Sequence, residues 1–271
     1  MTGVDAVDGA DGVPGVDSLV AVAEFTDPAC PWAWGSEPKF QQLRAALAGR
    51  VRWRRVYGIL FDDCDDPAPD PAAEAAWYHQ ELLEISTHTA APCPELLKWV
   101  ARSSWPASLA CKAAEAQGAD AAEAVLRRLR ETTFLDGEPA DTPERVRRAL
   151  EGLPGVDVAE LARAAAGPEV LEAVRRDWAE TRAPSAEVRE ITTPGRHTGR
   201  AKPLGEDPED GYRYALPTLV FTGPAGRAVV PGWRPLPEYL DAVRTVAPDQ
   251  PVAAADGPGP AVSRVSSNKT L

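Results

Sequence analysis

Cys30 is the residue best placed to do chemistry. It stands in Asp27-Pro28-Ala29-Cys30-Pro31-Trp32-Ala33-Trp34, between an apolar run and a helical pattern. A cysteine directly before a helix meets N–H groups with no intrahelical partner and the positive end of the helix dipole. Both favour a thiolate, so the Cys30 pKa is expected to fall and its reactivity at neutral pH to rise. Pro31 suits the first helical position and restricts the chain behind the sulfur. Trp32 and Trp34 offer apolar surface, one expected in the core and one lining the site.

A second element, Ala215-Leu216-Pro217-Thr218, opens a strand far downstream. A proline at the first position of such a strand is a candidate cis peptide. In that form it is expected to bring the Leu216 backbone close to Cys30, where its N–H and C=O can hold an extended peptide or a small thiol. The other cysteines are Cys64, Cys93 and Cys111. Cys111 falls on an apolar helix face with Leu109, Ala110, Ala113 and Ala114, which favours a core role. Its alternative role is a remote resolving thiol, which requires Cα atoms within about 7 Å of one another. The spacings of Cys64, His79, His88 and Cys93 match no familiar zinc site, so no metal is expected.

Short apolar or alternating runs predict strands over 18–26 and 51–57, with a helix between them running to Leu47 and stopped by Gly49. Pro38 predicts a kink or a second start in that helix. After a loop over 62–72, helical patterns follow at 74–86, 94–100, 106–117, 120–133, 142–150, 157–165 and 168–182, with Asp141, Thr142 and Asp157 as N-caps and Gly118 and Gly167 as stops. The Arg127-Arg128-Leu129-Arg130 and Arg145-Val146-Arg147-Arg148 stretches are expected to be solvated faces, paired with Glu123, Glu131 and Glu144. Residues 184–211 are rich in Pro, Gly and charge and read as a connecting loop. A hairpin follows at 217–222 and 227–230, then a closing helix at 236–246.

The order is β-α-β, a helical insertion, then β-β-α. It gives a disordered tail over 1–17, a first half-domain over 18–60, an insertion with its connection over 61–211, a second half-domain over 212–246 and a disordered tail over 247–271. The expected fold class is α/β, thioredoxin-like, with a sizeable all-helical inserted domain. The chain has 271 residues, 44% hydrophobic and 26% charged, with net charge −12. That size supports a large core. An acidic chain without a basic stripe argues against nucleic acid and anionic membranes. No secretory signal and no membrane-length apolar run stand out, so the expected location is cytoplasmic.

The strand ending in Phe25-Thr26-Asp27-Pro28, the Cys30-Pro31-Trp32 turn, Trp34-Gly35-Ser36-Glu37-Pro38, the helical insertion and Leu216-Pro217-Thr218 together resemble the DsbA family, over roughly residues 18–246. Cytoplasmic oxidoreductase members look most similar. Related branches include FrnE-like proteins, 2-hydroxychromene-2-carboxylate isomerases, kappa-class glutathione transferases and a protease adaptor of Gram-positive bacteria. The segment from Ser104 to Ala114 is similar to the insertion of that adaptor-like branch. The resemblance implies Cys30 as nucleophile and Pro31, Trp32, Trp34, Leu216, Pro217 and Thr218 as the thiol-binding surroundings. It implies no tightly bound cofactor, but a low-molecular-weight thiol of glutathione or mycothiol type. Partners would be that thiol, a protein thiol or disulfide, or a protein client.

Dithiol members carry Cys-x-x-Cys, whereas Ala33 holds the fourth position here. Cys30 alone can form a mixed disulfide but cannot resolve it locally. Three functions stay open: a monothiol oxidoreductase or transferase, an adaptor for protein clients, and a thiol-assisted isomerase.

Overall fold

A computed structural model describes residues 20–47, 49–62, 68–195 and 197–249. Cys64, the expected N-terminal tail and all but the first three residues of the expected C-terminal tail lie outside the described residues.

β1 (Val20–Thr26) leads through the Cys30 turn into α1 (Pro31–Ala46), and β2 (Val51–Tyr57) returns parallel to β1, with Val20 opposite Val51 and Thr26 opposite Tyr57. β5 (Thr218–Gly223) and β6 (Gly226–Pro231) complete a four-stranded sheet in the order β2-β1-β5-β6. β5 is antiparallel to both neighbours. α1 and α9 (Leu236–Val246) cover one face. Val20, Val22, Leu219 and Phe221 meet Phe40, Leu43, Tyr239 and Val243 there. Each such side chain stabilises by roughly 1.5–3 kcal/mol when fully buried. β1 is the central strand, which is why its sequence is almost continuously apolar. α1 runs unbroken through Pro38, without the expected second start.

The insertion holds α2 (Pro71–Thr89), α3 (Trp105–Ala114), α4 (Ala119–Phe134), α5 (Pro143–Leu150), α6 (Val158–Ala165) and α7 (Pro168–Thr181). Thr142 and Asp157 cap α5 and α6 through their side chains. α3 is the axis of this unit: Ala107, Ala110, Ala113 and Ala114 let α4, α5 and α6 approach closely around it. Between α1 and α2 the approach is closer still. A Cβ on Gly35 would sit 2.6 Å from Thr89 Cβ.

Two expected elements differ. Residues 94–100 form no helix. They are pinned as a loop by Lys98 N–H to Gly137 O (2.9 Å) and Trp99 Nε1 to Pro139 O (3.2 Å). Pro94 would suit a helix start, so these bonds to the chain after α4 are what hold the segment open. Residues 184–211 are not all loop. They hold α8 (Ala186–Arg189) and β3 (Lys202–Pro203), which pairs antiparallel with β4 (Tyr212–Arg213).

A buried ionic network joins the insertion to the sheet. Arg130 of α4 is fully buried, not solvated as its charged neighbours suggested. Its guanidinium donates to Glu37 Oε2 of α1 (2.5 Å) and to Thr26 Oγ1 of β1 (2.7 Å). Glu24 of β1, also fully buried, accepts from Trp53 Nε1 (2.7 Å) and Arg55 Nε (3.3 Å). Arg44 bonds Glu37 (2.6 Å) and Glu123 (3.1 Å). Arg55 also pairs with Glu123. Glu123 therefore pairs across the interface, whereas Glu131 pairs with Arg127 as the helical spacing suggested.

Burial works to raise the Glu123 carboxyl, but Arg55 and Arg44 outweigh it and hold it down at about 2. Its folded pKa lies below its unfolded value. Its contribution is therefore present above about pH 4.5 and is lost as pH falls towards 2. Arg130→Met should cost about 3 kcal/mol, because it removes the buried cation shared by Glu37 and Glu24 and leaves them to Arg44 and Arg55. Urea denaturation at neutral pH measures this, and the deficit should shrink in acid as the glutamates protonate.

Candidate functional site

The site begins with Asp27, which is fully buried where β1 ends. Its carboxylate accepts from Ala29 N (2.7 Å), Leu60 N (2.7 Å) and Ser104 Oγ (3.0 Å). One side chain thus ties together the cysteine turn, the loop after β2 and the start of α3. Burial pushes its carboxyl up, against these three donors. In the sequence an Asp-Pro pair at a strand end signals only a loop; what hides its role is that Leu60 and Ser104 are distant in sequence.

Cys30 is the N-cap of α1 and is 3% exposed. Leu216–Pro217 is a cis peptide bond, and Cys30 Sγ donates to Leu216 O at 3.5 Å. Gly58 lets β2 end against this loop: a Cβ there would lie 2.9 Å from Leu216 Cδ1.

The thiol does not have the depressed pKa that its helical position suggests. Burial pushes it up to about 11. The N–H groups of Ala33 and Trp32 act in the other direction, as the helix argument requires, but buried Asp27 reinforces the rise. Desolvation of the thiolate outweighs the helix end.

A cavity of about 530 Å³ opens over the sulfur. Cys30, Pro31, Trp32 and Leu216 line it. Trp34, Pro217 and Thr218 do not. Trp34 is buried against Phe134, with Nε1 donating to Pro92 O (2.9 Å). Pro217 is buried at the start of β5, and the Thr218 hydroxyl donates to Ala215 O (2.6 Å). Cys111 belongs to a different core cluster from Cys30. It lies fully buried in the helical core, its thiol pushed up to about 12 by burial, and it is absent from the cavity wall.

The rest of the wall went unread in the sequence. α2 contributes Trp77, Tyr78 and Glu81, and the segments around the second half-domain contribute His197, Arg213 and Trp233. Trp32 meets His197 at a tilt (centroids 3.9 Å, 40° between the rings) and is edged by His88 (5.3 Å), which also meets Trp233 (4.9 Å). Adjacent aromatics on a polar helix, as at Trp77-Tyr78, were the available signal. Cys93 is half-buried, and His79 Nε2 lies 2.9 Å from Pro94 O. Among the described residues no cluster suited to a metal ion forms, and no helix is long and apolar enough to cross a membrane.

A family model described as "Thioredoxin" matches residues 24–190. The chain belongs to the thioredoxin family. Solved structures share its fold. The cytosolic disulfide reductase DsbM from Pseudomonas aeruginosa is 16% identical, with 84% of this chain and 94% of that chain covered and a TM-score of 0.54. The same protein with GSH gives 18% identity, the same coverages and a TM-score of 0.52. The oxidoreductase NmDsbA1 from Neisseria meningitidis gives 12%, 88% of each chain and a TM-score of 0.50. At these identities the likeness shows the fold. A curated relative, the ClpXP adapter protein SpxH of Shouchella clausii, is 30% identical over 139 residues, 49% of this chain and 44% of that protein. This thioredoxin-family chain thus spans less than half the length of that relative.

A thiol with its pKa near 11 should alkylate slowly at neutral pH. Iodoacetamide modification of Cys30, followed by intact mass, should speed up about tenfold per pH unit from about pH 7 to pH 9 without a plateau. A plateau near neutrality would show a depressed pKa instead.

Proposed function

We propose that the chain is a monothiol thiol–disulfide oxidoreductase in which Cys30 exchanges with a small disulfide and a second small thiol resolves the adduct. One observation carries this reading: the Cys30 sulfur faces the Leu216 carbonyl at the floor of a cavity large enough for a small molecule. DsbM, whose fold the chain shares, is a disulfide reductase solved with GSH, which supports a small-thiol co-substrate. A reducing cytoplasmic thiol pool suits such a cycle.

In the first step the Cys30 thiol loses its proton and its sulfur attacks one sulfur of the substrate disulfide. The substrate S–S bond breaks, the Cys30–S bond forms, and the proton leaves with the departing thiol. In the second step a small thiol attacks the adduct, releases a new disulfide and returns the proton to Cys30.

A destabilised thiolate is a poor leaving group, so the adduct persists and the site is poised towards reduction of the substrate. A strong oxidant needs the reverse, a stabilised thiolate.

A second reading is an adaptor for protein clients. It is favoured by the SpxH match and by two exposed side chains on the insertion, Trp77 (64%) and Leu96 (63%). Steady-state reduction of a small disulfide separates the two. Cys30→Ser should abolish turnover. Ala33→Cys should let the introduced thiol displace the adduct, so that an intramolecular disulfide replaces the mixed disulfide after one turnover and small thiols are consumed in reducing that bond. Turnover surviving Cys30→Ser, or none in the wild type, would contradict the enzyme and leave the adaptor.

A further inference from the structure

Arg213 is anomalous among the arginines packed into the molecule. Arg44, Arg55 and Arg130 each meet glutamates, and Arg182 lies 3.6 Å from Asp62. Arg213 has no carboxylate partner among the described residues. Its Nη1 donates only to the neighbouring Tyr214 O, at 3.1 Å. It is partly buried, lines the Cys30 cavity, and is held at its edge by the β3–β4 pairing. Burial pulls its guanidinium below the usual range, and Cys30 and Asp27 are the groups whose charge counters that. An unpaired cation withdrawn from water is costly, and an anion entering the cavity would offset the cost.

We propose that Arg213 selects the substrate of the Cys30 site, which is a small thiol or disulfide bearing a carboxylate. This rests on the reading of Cys30 as the exchanging thiol. A guanidinium presents paired donors that match a carboxylate, so the substrate's anionic end docks on Arg213 while its sulfur reaches Cys30. Trp32, Trp77 and Trp233 line the same cavity and offer apolar surface to the carbon chain. A neutral, sugar-linked thiol has no carboxylate for Arg213 to pair with and is disfavoured. The net charge of the chain, −12, repels anions at long range, so an anionic preference must arise locally.

Three small disulfides test this: dithiodiglycolate (anionic), hydroxyethyl disulfide (neutral) and cystamine (cationic). The rate of adduct formation at Cys30 is followed by intact mass, and each rate is divided by that of a simple thiol in solution to remove intrinsic reactivity. The wild type should favour the anionic over the cationic disulfide by about tenfold, the equivalent of one charge pair. Arg213→Gln should bring the ratio to within about twofold, and Arg213→Lys should lower it by about threefold. The Lys variant carries the test if the Gln variant does not fold. Equal normalised rates in the wild type, or a ratio unchanged in either variant, would overturn the assignment. Failure of all three disulfides to modify Cys30 would instead overturn the exchange reading itself.

Discussion

Arg130 lies where no solvent can replace its partners, with its guanidinium held by Glu37 and Thr26 and 3.9 Å from Glu24. Breaking one side of such a network leaves a bare buried charge. That makes the docking of α4 on β1 and α1 close to all-or-none. The Cys30 turn joins those same two elements, so the arginine that docks α4 also holds the strand and helix that carry the reactive sulfur. α2, which supplies Trp77 and Tyr78 to the cavity, packs on α1 at the Gly35–Thr89 contact and is carried by the same framework.

The chemistry of Cys30 follows from a contest between two effects of unequal size. A helix N-terminus stabilises a charge by roughly 0.3–1 kcal/mol. Burial that lifts the thiol from its ordinary 9.0 to about 11 disfavours the thiolate by of order 3 kcal/mol. Burial wins, and the same helix start that makes a thiolate at an open site here accompanies a protonated thiol. The packing around the sulfur therefore sets its protonation state as well as its access.

Local signals carried the fold. Pro31 at the helix start, side-chain caps at Thr142 and Asp157, and the alternation in 51–57 all act within a few residues, and the elements fall where they point. The pairing of Cys30 with Leu216 was legible because the turn and the Leu216-Pro217-Thr218 strand each carry a local mark. What was not legible depends on partners far along the chain. Arg130 reads like Arg127 and Arg128, and only the folded approach of Glu37, 93 positions away, distinguishes it. The 94–100 segment has helical spacing, yet its bonds to Gly137 and Pro139 hold it open. The cavity wall joins α2, whose one local mark is Trp77-Tyr78, to Arg213, and nothing local says that the two meet. Sequence logic at Cys30 also lacked the quantity that decides its pKa, namely how completely the folded chain buries it.

The central claim is that the covered sulfur of Cys30 is the group that exchanges. Brief exposure of the full chain to a small carboxylated disulfide, followed by peptide mapping of the adduct by mass spectrometry, tests it most directly. The account predicts one adduct per chain, on Cys30, with buried Cys111 and half-buried Cys93 unmodified. An adduct on Cys93 with Cys30 left free, or a bond between two cysteines of the chain, would contradict it.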